Sequence, residues 1–338
     1  MKNIWFRIER FVRRYSKRRK QSFIFTIIGC LAVLSVITSG TIDFLQKSGK
    51  GEGERGKGLV FSLSPPLAKS TFARGLMYVV AQPASTSSER PAMKAPNFGR
   101  HFQEFGREGS ILIYDSKNNR IYEHNPQRNA TAIAPASTFK IFNALVALET
   151  GVIPDDVAVL TWDGIHRDFD AWNHDTNLRQ AFKDSTVWFY QVLARRAGYE
   201  RMQQFINKVG YGNRQIGTAA DIDRFWLQPQ LLQITPKEQI KFLQRLYQGD
   251  LPFSQRTMNL VKDIMIREQT PDYTLRGKTG WLTTTKPNIG WFVGYLEQNK
   301  NVYFFATTLD MQKSEDAPIR IEITRRSLKD LGLLAQIN

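Results

Sequence analysis

Ser137 and Lys140 stand three residues apart in Ser137-Thr138-Phe139-Lys140. A hydroxyl and an amine at that spacing share one face of a helix. A serine hydroxyl is a weak nucleophile until a neighbouring base draws off its proton. A lysine amine serves as that base only where burial makes its ammonium form costly. The flanking residues meet the condition. Phe139, Ile141, Phe142, Leu145, Val146 and Leu148 make the segment apolar nearly all round, the pattern of a buried helix. Ser137 also stands at the expected start of that helix, where free N–H groups and the dipole favour a developing oxyanion. Taken alone, the pair reads more readily as an N-cap serine followed by a snorkelling lysine, because the pattern is common by chance.

Other residues narrow that choice. Lys278-Thr279-Gly280 lies 141 residues after Ser137, next to an expected strand, and Ser185-Thr186-Val187 lies 48 residues after it. Ser-His-Asp chemistry needs a histidine beside the serine. His101, His124, His166 and His174 sit in none of these motifs, and no third ligand accompanies His166 and His174. One cysteine excludes a disulfide framework and a cysteine-based zinc site.

The elements that must position these residues follow from local pattern. Gly109–Asp115 and Arg120–His124 read as a hairpin closed by the polar turn 116–119. A helix is expected from Ser137 to Thr150, between Pro135 and Gly151. Residues 155–265 read as mainly helical and irregular. Ile289–Leu296 and Asn301–Leu309 read as strands joined by a polar turn, and a helix from Pro318 to Leu331 closes the chain. Strands, a helical insertion, more strands and a terminal helix predict an α+β class: an antiparallel β-sheet flanked by helices, with a mainly helical subdomain.

From about Phe98 to Leu331 the chain resembles the class D β-lactamases, the oxacillinases. Ser-x-x-Lys and Lys-Thr-Gly together match two members of the motif set of penicillin-recognising serine enzymes. Also matching are Pro135-Ala136, Trp162-Asp163-Gly164, Ser185-Thr186-Val187-Trp188-Phe189-Tyr190-Gln191, Tyr211-Gly212-Asn213, Phe225-Trp226-Leu227 and Trp281 after Gly280. The third member of that set, Ser-Asp-Asn, is absent, and Ser185-Thr186-Val187 stands in its place. The stretch from Tyr211 to Trp226 is slightly longer than the family pattern.

The resemblance implies a serine β-lactamase or penicillin-binding transpeptidase-like fold and hydrolysis of the β-lactam ring through an acyl-enzyme. It implies Ser137 as nucleophile and Lys140, carboxylated by carbon dioxide (N6-carboxylysine), as general base. Val187 and Trp226 would stabilise the carbamate. Ser185 would protonate the lactam nitrogen, with Lys278 polarising it. Thr279, Gly280, Arg320 and Tyr211 would bind substrate or shape its site. The oxyanion hole would be the backbone N–H groups of Ser137 and Trp281. No metal or organic cofactor is implied, only carbon dioxide or bicarbonate. Related alternatives are a membrane-tethered penicillin sensor that is acylated without turnover and a cell-wall transpeptidase or carboxypeptidase. An apolar Val187 favours the hydrolase over the sensor. Ser185-Thr186-Val187 in place of Ser-x-Asn argues against the transpeptidase.

The net charge of +16 suggests nucleic acid. Its distribution argues otherwise. Residues 1–95 hold 17 basic and 5 acidic side chains, whereas the remaining residues hold 30 and 26. The basicity marks topology: nine Lys or Arg within residues 1–21 precede an apolar run within 22–40. That pattern reads as a signal peptide or membrane anchor. Ile27-Ile28-Gly29-Cys30 resembles a lipoprotein box, but the apolar run continues past Cys30. Each reading places the rest of the chain outside the cytoplasm, in the periplasm, bound to the inner membrane through 22–40 if uncleaved. Residues 41–96 read as a flexible linker. Gly51-Glu52-Gly53-Glu54-Arg55-Gly56-Lys57 spells most of a phosphate loop, but Gly58 replaces the required Ser or Thr. Residues 97–338 are the expected catalytic domain. β-Lactams are the expected partners, nucleic acid is not, and the residues are silent on oligomeric state.

Overall fold

A computed structural model describes residues 96–334, all within the compact unit Thr86–Asn338. The basic flank, the apolar run, the linker up to residue 95 and its phosphate-loop lookalike lie outside the described residues. Among the described residues no helix is long and apolar enough to cross a membrane.

In chain order the strands are β1 (Gly109–Asp115), β2 (Arg120–His124), β3 (Val159–Leu160), β4 (Thr176–Asn177), β5 (Ile266–Gln269), β6 (Tyr273–Leu282), β7 (Asn288–Gln298) and β8 (Asn301–Met311). Six of them form one antiparallel sheet in the order β2-β1-β8-β7-β6-β5, and β3 pairs with β4 apart from it. The helices are α1 (Gly99–Glu104), α2 (Pro126–Asn129), α3 (Lys140–Glu149), α4 (Leu178–Lys183), α5 (Val187–Ala197), α6 (Tyr199–Val209), α7 (Pro236–Gln248), α8 (Gln255–Ile264) and α9 (Ile319–Asp330). This is the expected α+β arrangement.

Strand alternation explains why the sheet has two cores. Leu112, Trp291, Val293, Tyr295, Phe304 and Ala306 face the helical subdomain, in one cluster with α3, α5, α6, α7 and α8. Ile111, Ile113, Phe292, Phe305 and Leu309 face the other way, toward Phe102 of α1 and Ile323 and Leu328 of α9. A sheet covered on both faces needs apolar residues at successive positions in its central strands. The sequence patterns of β7 and β8 show this. Their hairpin closes through Asn299 and Lys300, both at positive φ (55° and 56°), a two-residue turn whose twist matches the strands.

Two sequence expectations change. The helix expected from Ser137 begins as an α-helix only at Lys140; Ala136–Phe139 is a 3-10 turn. Ala136 adopts φ 48°, which no α-helix accommodates, and the Thr138 hydroxyl donates to Pro135 O at 2.7 Å. Lys278-Thr279-Gly280 lies within β6, not beside a strand. Gly277 and Gly280 weaken the strand signal, yet both are needed for close packing. A Cβ at Gly280 would lie 3.1 Å from Pro135 O and 3.1 Å from Thr138 Cγ2. Its absence lets β6 lie against the turn that carries Ser137.

Candidate active site

The site forms where the Ala136–Phe139 turn, the chain between α4 and α5, and β6 meet. In a 3-10 turn, side chains three residues apart eclipse. Ser137 and Lys140 are therefore brought closer than ideal α-helix spacing would bring them, and Lys140 Nζ lies 2.6 Å from Ser137 Oγ. Lys140 is 1% exposed, and burial alone pushes its amine down to about 7. The centre of the Tyr190 ring lies 5.4 Å from Nζ. Ser137 keeps 8% of its surface open. The turn is pinned from three sides. Trp291 Nε1 donates to Ala134 O at 3.0 Å, Gln239 Nε2 donates to Thr138 Oγ1 at 2.9 Å, and Gly280 of β6 abuts it. These contacts hold Ala136 in its left-handed conformation, which costs an alanine about 1–2 kcal/mol.

Ser185 reaches the site through a helix cap. The Thr186 N–H donates to Ala181 O at 2.9 Å and the Ser185 N–H to Phe182 O at 3.3 Å. These are the two hydrogen bonds of a Schellman motif closing α4. Ser185 occupies its left-handed position at φ 59°, where glycine is favoured. The hydroxyl that glycine would lack accepts from Lys278 Nζ at 2.9 Å. Lys278 also donates to Thr279 O at 3.0 Å. Two tryptophans brace the cap: Trp172 Nε1 donates to Asp184 O at 3.0 Å, and Trp188 Nε1 to Trp172 O at 2.7 Å. Lys278 is 1% exposed, and its pKa is pushed well down, first by burial and then by Lys140, Arg267 and Arg320.

Val187 opens α5 and is half-buried, two residues after Ser185. Trp226 is fully buried in the 3-10 turn Phe225–Leu227 and stacks on Phe139 at 5.4 Å. Its Nε1–H has no acceptor. A buried donor without a partner is costly and marks a place for an acceptor. Tyr211 is enclosed by Phe139, Phe142 and Phe242 at 5.7, 5.0 and 5.0 Å. Burial pushes its hydroxyl pKa up. Tyr211 forms the wall behind the nucleophile turn, and with 1% exposure it presents no open surface to a substrate. Asn213 Oδ1 accepts from Gln215 N and Gln233 N, both at 3.1 Å, and so holds the following loop.

On the opposite face of β6, Thr279 and Trp281 pair in register with Phe292 and Gly290 of β7. Arg320, from the first turn of α9, crosses Gly290: a Cβ there would stand 3.2 Å from Arg320 Cδ. Arg320 is 7% exposed and pushed down to about 10, by burial and then by Arg267. Its Nη1 meets only Met311 Sδ, at 3.3 Å, and its Nε has no partner. Lys140, Lys278 and Arg320 make no ion pair among the described residues. Three buried basic groups without a carboxylate, Arg320 charged and the two lysines with lowered pKa, produce a site that attracts an anion. The four histidines lie elsewhere: His101 on Asp330, His124 beside Gly99, His166 on Trp162 and His174 on the Asp175 carbonyl. Among the described residues no cluster of His, Cys, Asp or Glu could hold a metal ion.

Sequence reasoning missed Trp291 and Gln239, which fix the nucleophile turn from 154 and 102 residues away from Ser137. Neither carries a local signal, because each acts through a backbone carbonyl or a hydroxyl that only the fold brings near.

Comparison with known proteins gives a consistent result. Residues 107–329 match the penicillin binding protein transpeptidase domain. The chain is 40% identical over 233 residues to β-lactamase OXA-48 of Klebsiella pneumoniae, covering 69% of this chain and 87% of that one. Among solved structures it is similar to the class D β-lactamase YbXI from Nostoc, with 68% identity, a TM-score of 0.69, and coverage of 70% of this chain and 99% of that one. It is also similar to FUS-1 (OXA-85) from Fusobacterium nucleatum, with 42% identity, a TM-score of 0.68, and coverage of 70% and 98%.

Proposed function

We propose that this chain, which belongs to the class D β-lactamase family, hydrolyses the β-lactam ring of penicillins and related antibiotics through a serine acyl-enzyme. The single observation that carries the reading is Lys140: fully buried, 2.6 Å from Ser137 Oγ, with its pKa at about 7. An ordinary lysine would stay an ammonium at neutral pH and could neither accept a proton nor react with carbon dioxide.

Ser137 Oγ attacks the lactam carbonyl carbon, and its proton passes to the Lys140 side chain. The backbone N–H groups of Ser137 and Trp281 receive the developing oxyanion. As the carbon–nitrogen bond breaks, Ser185 Oγ gives its proton to the leaving nitrogen and takes one in turn from Lys278 Nζ, which donates to it at 2.9 Å and is reprotonated from solvent, while the Lys140 side chain gives up to solvent the proton it took from Ser137. Lys278 Nζ, already donating to Ser185 Oγ, holds that hydroxyl in place and leaves its own proton free for transfer. Thr279 and Arg320 bind the substrate carboxylate, a task suited to a guanidinium fork. Water then attacks the acyl carbon and gives a proton to the Lys140 side chain, which passes it to Ser137 Oγ as the carbon–Oγ bond breaks and the product leaves.

The surroundings of Lys140 fit a carbamate on Nζ. The unpartnered Trp226 Nε1–H would hold it, and Val187 would keep water away. Such a group, formed from carbon dioxide, supplies an anionic general base for both half-reactions. No metal or organic cofactor is required. An acylated sensor and a transpeptidase are not favoured, since the relatives above are β-lactamases. The basic flank and apolar run of the first 40 residues support export of the catalytic domain to the periplasm, anchored or released; fractionating cells that produce the full chain tests this.

The test is turnover of a chromogenic cephalosporin and benzylpenicillin by the purified protein, with bicarbonate present and absent. Many turnovers that fall when bicarbonate is withdrawn are expected. One equivalent of product followed by a stable adduct on Ser137 would mean a receptor or transpeptidase.

A further inference from the structure

One cation near the site has no role in the chemistry above. Arg267 lies in β5, the outermost strand, at the bulge where pairing with β6 slips between Ile266 and Glu268. The residue is exposed overall, yet burial of its guanidinium against the sheet lowers its pKa, and it makes no ion pair among the described residues. Its guanidinium carbon stands 5.6 Å from the Phe292 ring. Gly277 makes this reach possible: a Cβ there would come 2.7 Å from Phe292 Cε2.

The register shows what this places together. Phe292 pairs with Thr279, and Gly290, two residues back on the same face of β7, pairs with Trp281. Arg320 crosses Gly290, while Arg267 lies over Phe292. The two guanidinium groups therefore stand over one sheet face, Arg320 at the Gly290–Trp281 pair and Arg267 over the Phe292 ring where it leans across Gly277, two residues before Thr279 on the same face. Arg320 comes from the inside, off α9; Arg267 comes from the solvent edge. Like charges brought to one face without a carboxylate repel each other, and an anion between them relieves that repulsion. The lowering of the Arg320 and Lys278 pKa values by Arg267 agrees with this proximity.

We propose that Arg267 is the second cation of the substrate-carboxylate subsite: it draws the carboxylate in from the sheet edge and shares it with Arg320 and Thr279. The inference rests on the penicillin-hydrolysing reading of the site. An exposed cation beside a buried one acts mainly on capture, by steering and by adding attraction at the site. Its loss should weaken encounter and leave the chemical step unchanged.

The experiment compares the full-length protein with Arg267→Met, which keeps an apolar stem over Phe292, and Arg267→Lys, which keeps the charge. The second-order rate constant of acylation is read for benzylpenicillin and for its methyl ester, which has no carboxylate, across a range of salt. Acylation is defined whether or not turnover follows. Failure of the hydrolase reading would therefore appear as missing turnover in the unaltered protein, separately from this result. The expected outcome is a fall of about threefold to tenfold for Arg267→Met on the acid only, with a shallower salt dependence and substantial rescue by Arg267→Lys. An unchanged rate on the acid, or an equal fall on acid and ester, overturns the proposal; the second result would make Arg267 a packing residue.

Discussion

Each of the two site serines is held by a buried lysine, but the two pairs sit in different electrostatic surroundings. Lys140 lies buried against Ser137 with the Tyr190 ring beside it, and burial alone lowers its pKa, to about 7. Lys278 lies against Ser185 with two acceptors in reach, and its pKa is lowered by burial and by Lys140, Arg267 and Arg320 together. The first amine can be relieved by becoming an anion, which a dry pocket with a free indole donor would accept. The second would be relieved by an anion that arrives from outside, the substrate carboxylate of the proposed mechanism. On the proposed mechanism the same residue type serves as base in one place and as part of an anion trap in the other, because the neighbours differ.

The comparison breaks most sharply at Ser137. Ser137→Ala should lower β-lactam turnover on the order of 10⁴-fold or more, as removal of a nucleophile does. Mass spectrometry should then find no penicilloyl adduct; an adduct elsewhere would displace Ser137 from its role.

Lys140→Met should lower turnover on the order of 10³-fold, within the range a general base contributes. It also has an opposite effect on stability. A lysine whose folded pKa is about 7 against an unfolded value of 10.5 binds fewer protons folded than unfolded between those limits. Stability therefore rises with pH through that window, and the burial penalty is greatest at and below pH 7. Lys140→Met removes the penalty, so the variant should be more stable at pH 7 by a few kcal/mol, order of magnitude only. That gain should shrink toward pH 10.5. Denaturant melts of both proteins without carbon dioxide measure it, and a variant less stable at pH 7 would show that Lys140 is not desolvated.

Val187→Asn should let water and a competing hydrogen bond into the pocket of Lys140. Turnover should fall on the order of 10²-fold, the low end of a general base's contribution, with acyl-enzyme accumulating. Added bicarbonate should restore part of it. Equal turnover with and without bicarbonate, at the level of the unaltered protein, argues against a dry pocket.

Trp226→Phe is the finest cut. It keeps the stacking on Phe139 and deletes one N–H. About tenfold more bicarbonate should be needed for half-maximal activity, the value of one hydrogen bond to an anion. Saturated activity should stay close to that of the unaltered protein. A shift in saturated activity alone would place the indole in packing and not in binding.

Much of this molecule was legible in its residues. The β1–β2 hairpin follows from alternation around a polar turn, and α9 and the β7–β8 hairpin follow from equally local signals. The paired motifs at Ser137 and Lys278 led to the family, because two short patterns in order are far rarer than either alone. The strand around Lys278 was not legible, since Gly277 and Gly280 dilute its pattern for reasons that lie on other strands and turns. The left-handed Ser185 was not legible either: a sequence reader expects glycine at that cap, and a serine there is a rule broken at a functional site.

The amino-acid sequence by itself determined which chemical groups exist and which are local neighbours: a serine three residues from a lysine in an apolar segment, and a Lys-Thr-Gly motif far downstream. It also determined the antiparallel α+β class through the order of its strand and helix patterns. Only the tertiary structure decided that Lys140 is dry, that Ala136–Phe139 tightens into a 3-10 turn, that Lys278 reaches Ser185 across 93 residues of chain, and that Arg267 and Arg320 share one sheet face. The reason is physical. A pKa depends on the solvent and charge within a few ångströms, and those surroundings come from segments whose proximity no local pattern encodes.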